Sequence, residues 1–595
     1  MTTTIDQAAR AKDDADPRSR YWSLLFRYMR LERPRLAILG VLLLAATALQ
    51  VLTPQLVRHY VDRAVSGSAV HTLMWVAGAY LLVALMLQVV RLASAYVGES
   101  AAWSMTNAMR VDLTSHCMGL DIRFHREHTA GELVERVDGD VTALAKFLSS
   151  AFLLILGNLL LIVGIFVSLF LTDARIGAVL LLYALCALAA LLAIRSIATG
   201  PWTMAREVSG KLLGFVSERV AGIEDIRGNR AEGHVLRQLD ELNGDLTRWQ
   251  RTARVRTSLI FIVMHGTYLL GYGGALVVGG YLYREGLASI GTVYMIIAYT
   301  SYIYTPLNEL RSQIQELQRA NAGVRRVNEL FAARPSITDG PGLAMSTEAP
   351  SVAFDSVSFR YADHLPMSLQ DVSFSLGSGQ VLGIMGRTGS GKTTVARLVT
   401  RIYDPVSGAV RIDGQDLRQA RADDLRGRIG MVTQDVQLFH GTLRDNLTLF
   451  DPEVVDERII AAIEQLGLRE WYARLPDGLD TVLASGSDDL SAGEAQLLGV
   501  CRVLLREPAL VILDEASSRL DHVTEQFLNR ALRALAVGRT TIVIAHRPTT
   551  VSLVDQVLVL EDGRVVEHGP RESLLADPDS HLSRLMLQVS QEDFA

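Results

Sequence analysis

Residues 386–393, GRTGSGKT, fit the pattern G-x-x-x-x-G-K-[ST] and follow an apolar stretch, VLGIM. Glycines at these positions let backbone N–H groups wrap a phosphate, and the dipole of a following helix adds to the attraction. The stretch Gly386, Arg387, Thr388, Gly389, Ser390, Gly391, Lys392, Thr393 and Thr394 is therefore the candidate nucleotide cradle. Lys392 would reach the β- and γ-phosphates and the Thr393 hydroxyl would ligate Mg²⁺. In ALVILDE (509–515) a buried strand ends in two acids. Such a pair is often only a strand-to-turn end. Beside a phosphate loop, Asp514 fits a Mg²⁺-organising carboxylate and Glu515 a base that polarises attacking water. TTIVIAH (540–546) is a further apolar strand that ends in His546, a γ-phosphate contact in this company and a structural histidine without it. Gln434 follows a short strand, where an amide can touch both Mg²⁺ and the attacking water. Tyr361, in FRYADH, is placed to stack on adenine or to be a plain strand aromatic.

The elements that must hold these residues differ between the two halves of the chain. The second half reads as short apolar strands alternating with helices, an α/β pattern. The first half carries six long runs with almost no charge: 36–57, 71–90, 147–172, 176–194, 257–283 and 286–308. A hydrocarbon core of about 30 Å needs about 20 apolar residues in a helix, so each run is long enough to span it. TDARIG and REGLASIG are short connections, which makes runs three and four, and five and six, hairpins. The links between runs two and three and between four and five are long and rich in basic residues, among them Arg110, Arg136, Lys211 and Arg251. Lys and Arg collect on the cytoplasmic side, so both links, the N-terminus and the second half are expected in the cytosol. The links keep a helical period and read as extensions of the membrane helices, turning around near 121–131 and 220–228.

The expected domains are a disordered tail over 1–19 and a transmembrane domain over 20–330 that opens with an amphipathic interface helix at 20–35. A linker over 331–350, rich in Pro, Gly, Ser and Ala, and a nucleotide-binding domain over 351–595 follow. Residues 1–20 lack the apolar core of a secretory signal. The net charge of −6 gives no reason to expect nucleic acid as a partner. Three cysteines, Cys117, Cys186 and Cys501, show no metal-ligand or disulfide spacing.

Six spans followed by this ordered set resemble a half-size ABC transporter of the exporter fold, over about residues 20–590. The fold class is thus multi-domain, a six-helix transmembrane domain followed by an α/β P-loop nucleotide-binding domain. The resemblance implies that two such subunits pair in the bilayer and sandwich ATP head-to-tail. Gly386–Thr393 corresponds to Walker A, Asp514 and Glu515 to Walker B, Gln434 to the Q-loop, His546 to the switch histidine and Tyr361 to the adenine-stacking residue. The turnarounds correspond to coupling helices.

One motif departs from the pattern. LSAGEAQ (490–496) stands where the family has LSGGQ, a loop that completes the partner's ATP site. Ser491 and Gly493 remain as γ-phosphate contacts. Ala492 adds a Cβ and forbids glycine-only backbone angles. Glu494 replaces a neutral amide with a charge, repelling a triphosphate by roughly 0.5–3 kcal/mol. ASGSDD (484–489) and Arg519 in SRLD also depart. Some exporters of this family are heterodimers in which the subunit with the catalytic Glu carries the altered loop. That favours a heterodimer over a homodimer tolerant of LSAGE, with Glu515 on this chain.

The resulting function is ATP-driven transport of a drug, lipid or peptide, most simply export from a bacterial plasma membrane. Import by the same fold, a regulatory ATPase that gates a partner, and a membrane-anchored P-loop kinase are the competitors. Gln434, the signature-like loop and His546 argue against the kinase. Runs five and six hold His265, Tyr268, Tyr272, Tyr294, Tyr299, Tyr302 and Tyr304, which suit either an amphipathic cargo or membrane interfaces and helix contacts.

Overall fold

The computed structural model describes residues 26–147, 152–194, 196–342, 348–434, 436–483, 490–514, 522–545 and 551–592. The expected tail, Glu515, His546, ASGSDD and SRLD lie outside the described residues. The chain divides into two compact units between Arg334 and Pro335.

The first unit is helical. Its long helices are α1 (Arg33–Val65), α2 (Val70–Met118), α4 (Phe152–Thr172), α5 (Ala174–Ile194), α6 (Thr199–Ala221), α8 (Glu232–Arg284) and α9 (Ile290–Ala332). Two short helices, α3 (Ile122–Glu127) and α7 (Ile223–Gly228), occupy the two turnarounds. Helix α2 has 49 residues and α8 has 53, so they run about 74 and 80 Å at 1.5 Å per residue, far beyond a bilayer core.

Five helices among the described residues are long and apolar enough to cross a membrane. The sixth expected span coincides with the start of α9, which does not reach that apolarity. Tyr294, Tyr299, Tyr302 and Tyr304, with Thr292, Thr300 and Ser301, dilute its aliphatic content. The outward faces elsewhere are apolar: Trp75, Leu82, Leu171, Leu182, Leu270 and Val277 are exposed. Such a continuous surface suits lipid and not water.

Polar side chains inside this unit tie helices together. Tyr299 is fully buried, and its hydroxyl donates to the Val51 carbonyl (2.9 Å). Ser168 lies 3.0 Å from the same hydroxyl and receives the Gln55 amide at 2.8 Å. This node lies beside Pro54, which interrupts the α1 hydrogen-bond ladder. Tyr299 is thus a helix tether, whereas Tyr294 is exposed. At the start of α9, Asp62 accepts the Gly291 N–H (2.9 Å) and the Ser289 hydroxyl (2.8 Å). A Cβ on Gly291 would fall 2.3 Å from the Arg58 carbonyl, so glycine is needed for this approach. The described part of the expected interface helix, from Phe26, continues through a turn at Arg30–Glu32 into α1. Tyr28 in it is buried and donates to Asp112 of α2 (2.8 Å), so this segment is fastened to α2.

The second unit holds two main sheets, besides a short two-stranded pairing of Gly441–Thr442 with Val482–Leu483. A six-stranded sheet is built from β3 (Val381–Met385), β6 (Ile429–Val432), β7 (Leu510–Asp514), β8 (Thr540–Ile544), β9 (Gln556–Glu561) and β10 (Arg564–Pro570), in the order β10-β9-β3-β8-β7-β6. All pairs are parallel except β9–β10. The central strands are buried on both faces, which is why they read as unbroken apolar runs. A second sheet, order β2-β1-β4-β5, contains β1 (Val352–Phe359), β2 (Leu369–Leu376), β4 (Ser407–Ile412) and β5 (Gln415–Asp416), all antiparallel. Part of the expected linker is a strap on this unit: the Thr338 carbonyl accepts from Arg401 (2.9 Å) and Asp339 accepts the Ala422 N–H (2.8 Å).

Candidate functional site

The carboxyl ends of parallel strands are where an open α/β sheet collects ligands. Here the ends of β3, β8, β7 and β6 lie side by side, with Ile544 opposite both Ile384 and Asp514, and Val432 opposite Leu513. The phosphate loop leaves β3, Asp514 closes β7 and Gln434 follows β6. Glu515 and His546 continue from β7 and β8, outside the described residues.

Backbone geometry explains the loop's glycines. Gly386 has φ +142°, Gly389 +86° and Gly391 +103°, values that side chains rarely tolerate. A Cβ on Gly386 would stand 2.1 Å from the Leu560 carbonyl, and one on Gly391 2.8 Å from the Ser368 carbonyl. Helix α10 (Lys392–Val399) starts directly after this loop, its first-turn N–H groups turned toward it. Arg387 and Thr388 are exposed, and Thr393 is partly exposed at the second helical position.

The loop has the features of a polyphosphate site. The Ser390 hydroxyl oxygen is buried and has no hydrogen-bond partner among the described residues. Lys392 is 6% exposed and donates to the carbonyls of Gly386 (2.7 Å) and Arg387 (2.9 Å). Burial pushes its ammonium below the usual lysine range, and the Asp514 carboxylate opposes that shift. A phosphate would replace neutral carbonyls with charge and fill the partner that Ser390 lacks. Among the described residues no group of three His, Cys, Asp or Glu could hold a metal ion alone. Mg²⁺ fits here in another way, since it is commonly held by one or two carboxylates and the nucleotide's own oxygens.

Tyr361 reaches the same loop. Its hydroxyl lies 3.0 Å from Thr394 Oγ1 and accepts from Arg397 Nη1 (3.0 Å). Its ring meets Phe359 and Tyr403 edge-on, at 5.0 and 5.3 Å between centroids. Arg397 and Tyr403 give no sign of this role in the sequence. Gln434 has an exposed side chain, and its backbone carbonyl receives Gln496 Nε2 at 3.4 Å. The cradle, Asp514, Gln434 and Tyr361 are therefore gathered on one side of this unit.

The signature-like loop forms the start of α11 (Ala492–Leu505). Ser491 is its N-cap, Ala492 its first residue and Gly493, buried, its second. Helical angles there suit alanine, so the expected backbone penalty at Ala492 does not arise. Glu494 is not a free charge. Its Oε2 accepts the Ser491 N–H (2.8 Å) and hydroxyl (2.9 Å), closing a capping box. Its Oε1 accepts Trp471 Nε1–H (2.9 Å). Sequence reasoning missed Trp471, which stands 23 positions away without a motif.

Comparison with known proteins agrees with this arrangement. The ABC transporter transmembrane region family matches residues 36–307, and the ABC transporter family matches residues 369–518. An uncharacterized ABC transporter ATP-binding protein, YfiC of Bacillus subtilis, is 30% identical over 95% of this chain and 93% of its own length. A multidrug efflux ATP-binding/permease protein of Mycobacterium bovis is 30% identical over 94% of this chain, which spans only 47% of that protein. A bacterial Atm1-family ABC exporter with ATP bound has the same fold, with a TM-score of 0.80 at 24% identity over 93% of this chain and 98% of the other. With a multi-pass helical membrane unit followed by an ATP-binding unit, matched along nearly the whole of a relative, the chain belongs to the ABC transporters and is an ATP-driven membrane transporter.

Proposed function

We propose that this chain is the Glu515-bearing half of a heterodimeric exporter of amphipathic drugs, lipids or peptides in a bacterial plasma membrane. The observation that supports the heterodimer is the Glu494 carboxylate, which holds the Ser491 N–H and the Ser491 hydroxyl that a γ-phosphate would use in the partner's site. Export of amphipathic molecules is supported by relatives named for multidrug efflux and multidrug export. Residues 1–19 are the tail, 20–330 the transmembrane domain, 331–350 the connection and 351–595 the nucleotide-binding domain. The basic long links favour a cytoplasmic N-terminus and nucleotide-binding domain.

In this reading Tyr361 seats the adenine and the Gly386–Thr394 backbone, Ser390 and Lys392 seat the phosphates. Thr393, Asp514 and Gln434 would hold Mg²⁺, which supplies positive charge to the β- and γ-phosphate oxygens. Glu515 polarises the attacking water, Gln434 orients it and His546 contacts the γ-phosphate. Ser491 and Gly493 of the partner's equivalent loop complete this chain's site. This chain's own loop closes the other site, which binds ATP and turns over poorly.

ATPase activity of the purified chain tests this, alone, as Glu515→Gln, and with a partner bearing an LSGGQ loop. Little turnover alone, restored by the partner and lost with Glu515→Gln, is the expected result. Strong turnover by the chain alone would show that LSAGE completes a working site. ATP-dependent flux in vesicles separates a transporter from a subunit that only gates its partner.

A further inference from the structure

Helix α11 begins at the signature-like loop, and farther along it meets the segment that carries Gln434. Gln496, Gly499 and Arg502 recur at three-residue steps and lie along one side of the helix. Gln496 Nε2 donates to the Gln434 carbonyl at 3.4 Å. A Cβ on Gly499 would fall 2.9 Å from the Val436 side chain, so the segment runs close against the helix there. Arg502 Nη1 donates to the Gln437 carbonyl (2.9 Å). Its Nε donates to the Asn446 carbonyl (2.6 Å) and its Nη2 to Asn446 Oδ1 (3.2 Å).

Asn446 spreads that grip. It is fully buried, in a short helix at Leu443–Thr448. Its Oδ1 accepts the Phe439 N–H (2.9 Å), and its Nδ2 donates to the carbonyls of Phe439 (2.8 Å) and Thr442 (3.1 Å). One guanidinium therefore holds Gln437 directly, and Phe439 and Thr442 through Asn446. The described part of residues 433–440 contains no helix or strand, so its course depends on side-chain bonds of this kind. A guanidinium carries its donors in a rigid planar fork, and bonds from a charged donor are the stronger ones. None of the Arg502 bonds goes to the phosphate cradle.

We infer that Arg502 is a positioning residue for ATP hydrolysis: it fastens the segment 434–446 to α11 and so sets where the Gln434 amide stands. The anchor for Gln434 is then the same helix that presents Ser491 at its start. Arg502 acts only through Gln434 and touches neither nucleotide nor metal. The inference rests on the reading of Gln434 as a Mg²⁺ and water contact in this chain's own site. Partners that orient a metal contact in this way commonly matter about tenfold or more to metal affinity.

The test uses the full-length chain in detergent. The probe is the fluorescent methylanthraniloyl derivative of adenylyl imidodiphosphate, which is not hydrolysed. Its affinity is measured with and without Mg²⁺, and the readout is the factor by which Mg²⁺ tightens binding. Gln434→Ala should lower that factor by about tenfold. Arg502→Met should lower it by a similar amount while leaving the Mg²⁺-free affinity within about twofold, and the double variant should lose no more than either single one. Gly499→Ala pushes on Val436 with Arg502 intact and should lower the factor severalfold, so the test does not depend on Arg502→Met folding. A double variant that loses the product of the two single losses would overturn the inference. So would an Arg502→Met chain that binds the probe more weakly by the same amount with and without Mg²⁺, the mark of a structural role alone. If Gln434→Ala lowers the factor and neither Arg502→Met nor Gly499→Ala does, the inference fails and the reading of Gln434 stands. If Gln434→Ala leaves the factor unchanged, the reading of Gln434 fails and the inference falls with it.

Discussion

Glu494→Gln separates two roles of one carboxylate. In the structure it receives three hydrogen bonds, two from Ser491 and one from Trp471. A glutamine can keep the capping-box shape, because its amide oxygen still accepts. What it loses is charge. An anion at a helix N-terminus is worth about 0.3–1 kcal/mol. A hydrogen bond to a charged acceptor is worth about 1.5–3 kcal/mol against about 0.5–1.5 for a neutral one. The Ser491 hydroxyl must leave Glu494 before it can donate to a phosphate, so the charge opposes nucleotide closure twice. Together these effects come to about 1.5–2 kcal/mol, or roughly 10–30-fold in affinity at 1.36 kcal/mol per decade.

The assay is retention of radiolabelled ATP by the assembled transporter in a Glu515→Gln background, which on the proposed role of Glu515 stops turnover at this chain's site. Glu494→Gln should raise retention at the site this chain's loop closes. The same substitution should lower the unfolding temperature of the nucleotide-binding domain by a few degrees, since about 1 kcal/mol moves a domain of this size by about 2–4 °C. Gain in nucleotide retention with loss of stability is the signature of a carboxylate standing in for a phosphate. Lower stability with unchanged or weaker retention would refute it and leave Glu494 as a cap only. Trp471→Phe, which removes one donor and keeps the charge, should lower stability without raising retention.

Four further outcomes follow from the cradle. Gly386→Ala sets a Cβ 2.1 Å from the Leu560 carbonyl at φ +142°, and should cost about 2–4 kcal/mol in thermal unfolding and abolish ATP binding. Lys392→Met removes a buried ammonium, so the nucleotide-free chain should melt no lower, while the rise in melting temperature caused by ATP disappears. Burial lowers the Lys392 pKa when no nucleotide is bound, and phosphates raise it on binding. ATP affinity measured by titration should therefore be full at pH values below the nucleotide-free pKa and fall as pH rises through it, before the usual lysine value of about 10.4, a decline that Lys392→Met flattens. Tyr361→Phe keeps the ring between Phe359 and Tyr403 and should change ATP affinity less than threefold, whereas Tyr361→Ala should cost about tenfold, a difference that fluorescent ATP binding can read.

What the sequence could tell depended on the range of each interaction. Apolar runs and phosphate-loop spacing are local, so the helical membrane unit and the α/β unit were legible, down to the short helices at both turnarounds. Hydropathy alone leaves the start of α9 below the other five spans, because a tyrosine that is packed counts the same in sequence as one that is exposed. Tyr299 is buried against polar atoms of α1 and α4 and Tyr294 is exposed, yet they sit five positions apart in one run. The charge of Glu494 and its S-x-x-E spacing to Ser491 are visible in the sequence, and Trp471 is not. Only the fold brings Trp471 to it, where the indole N–H adds a third donor to the carboxylate. Nothing in the run 176–194 marks Tyr183 as the side chain that meets α8; the signal lies a helix away, in the Gly-Tyr-Gly-Gly stretch at 271–274, since glycines clustered in a membrane helix mark where a neighbour comes close. Pairings of this kind are written in two distant places at once, so neither place reads as a site until the helices are laid side by side.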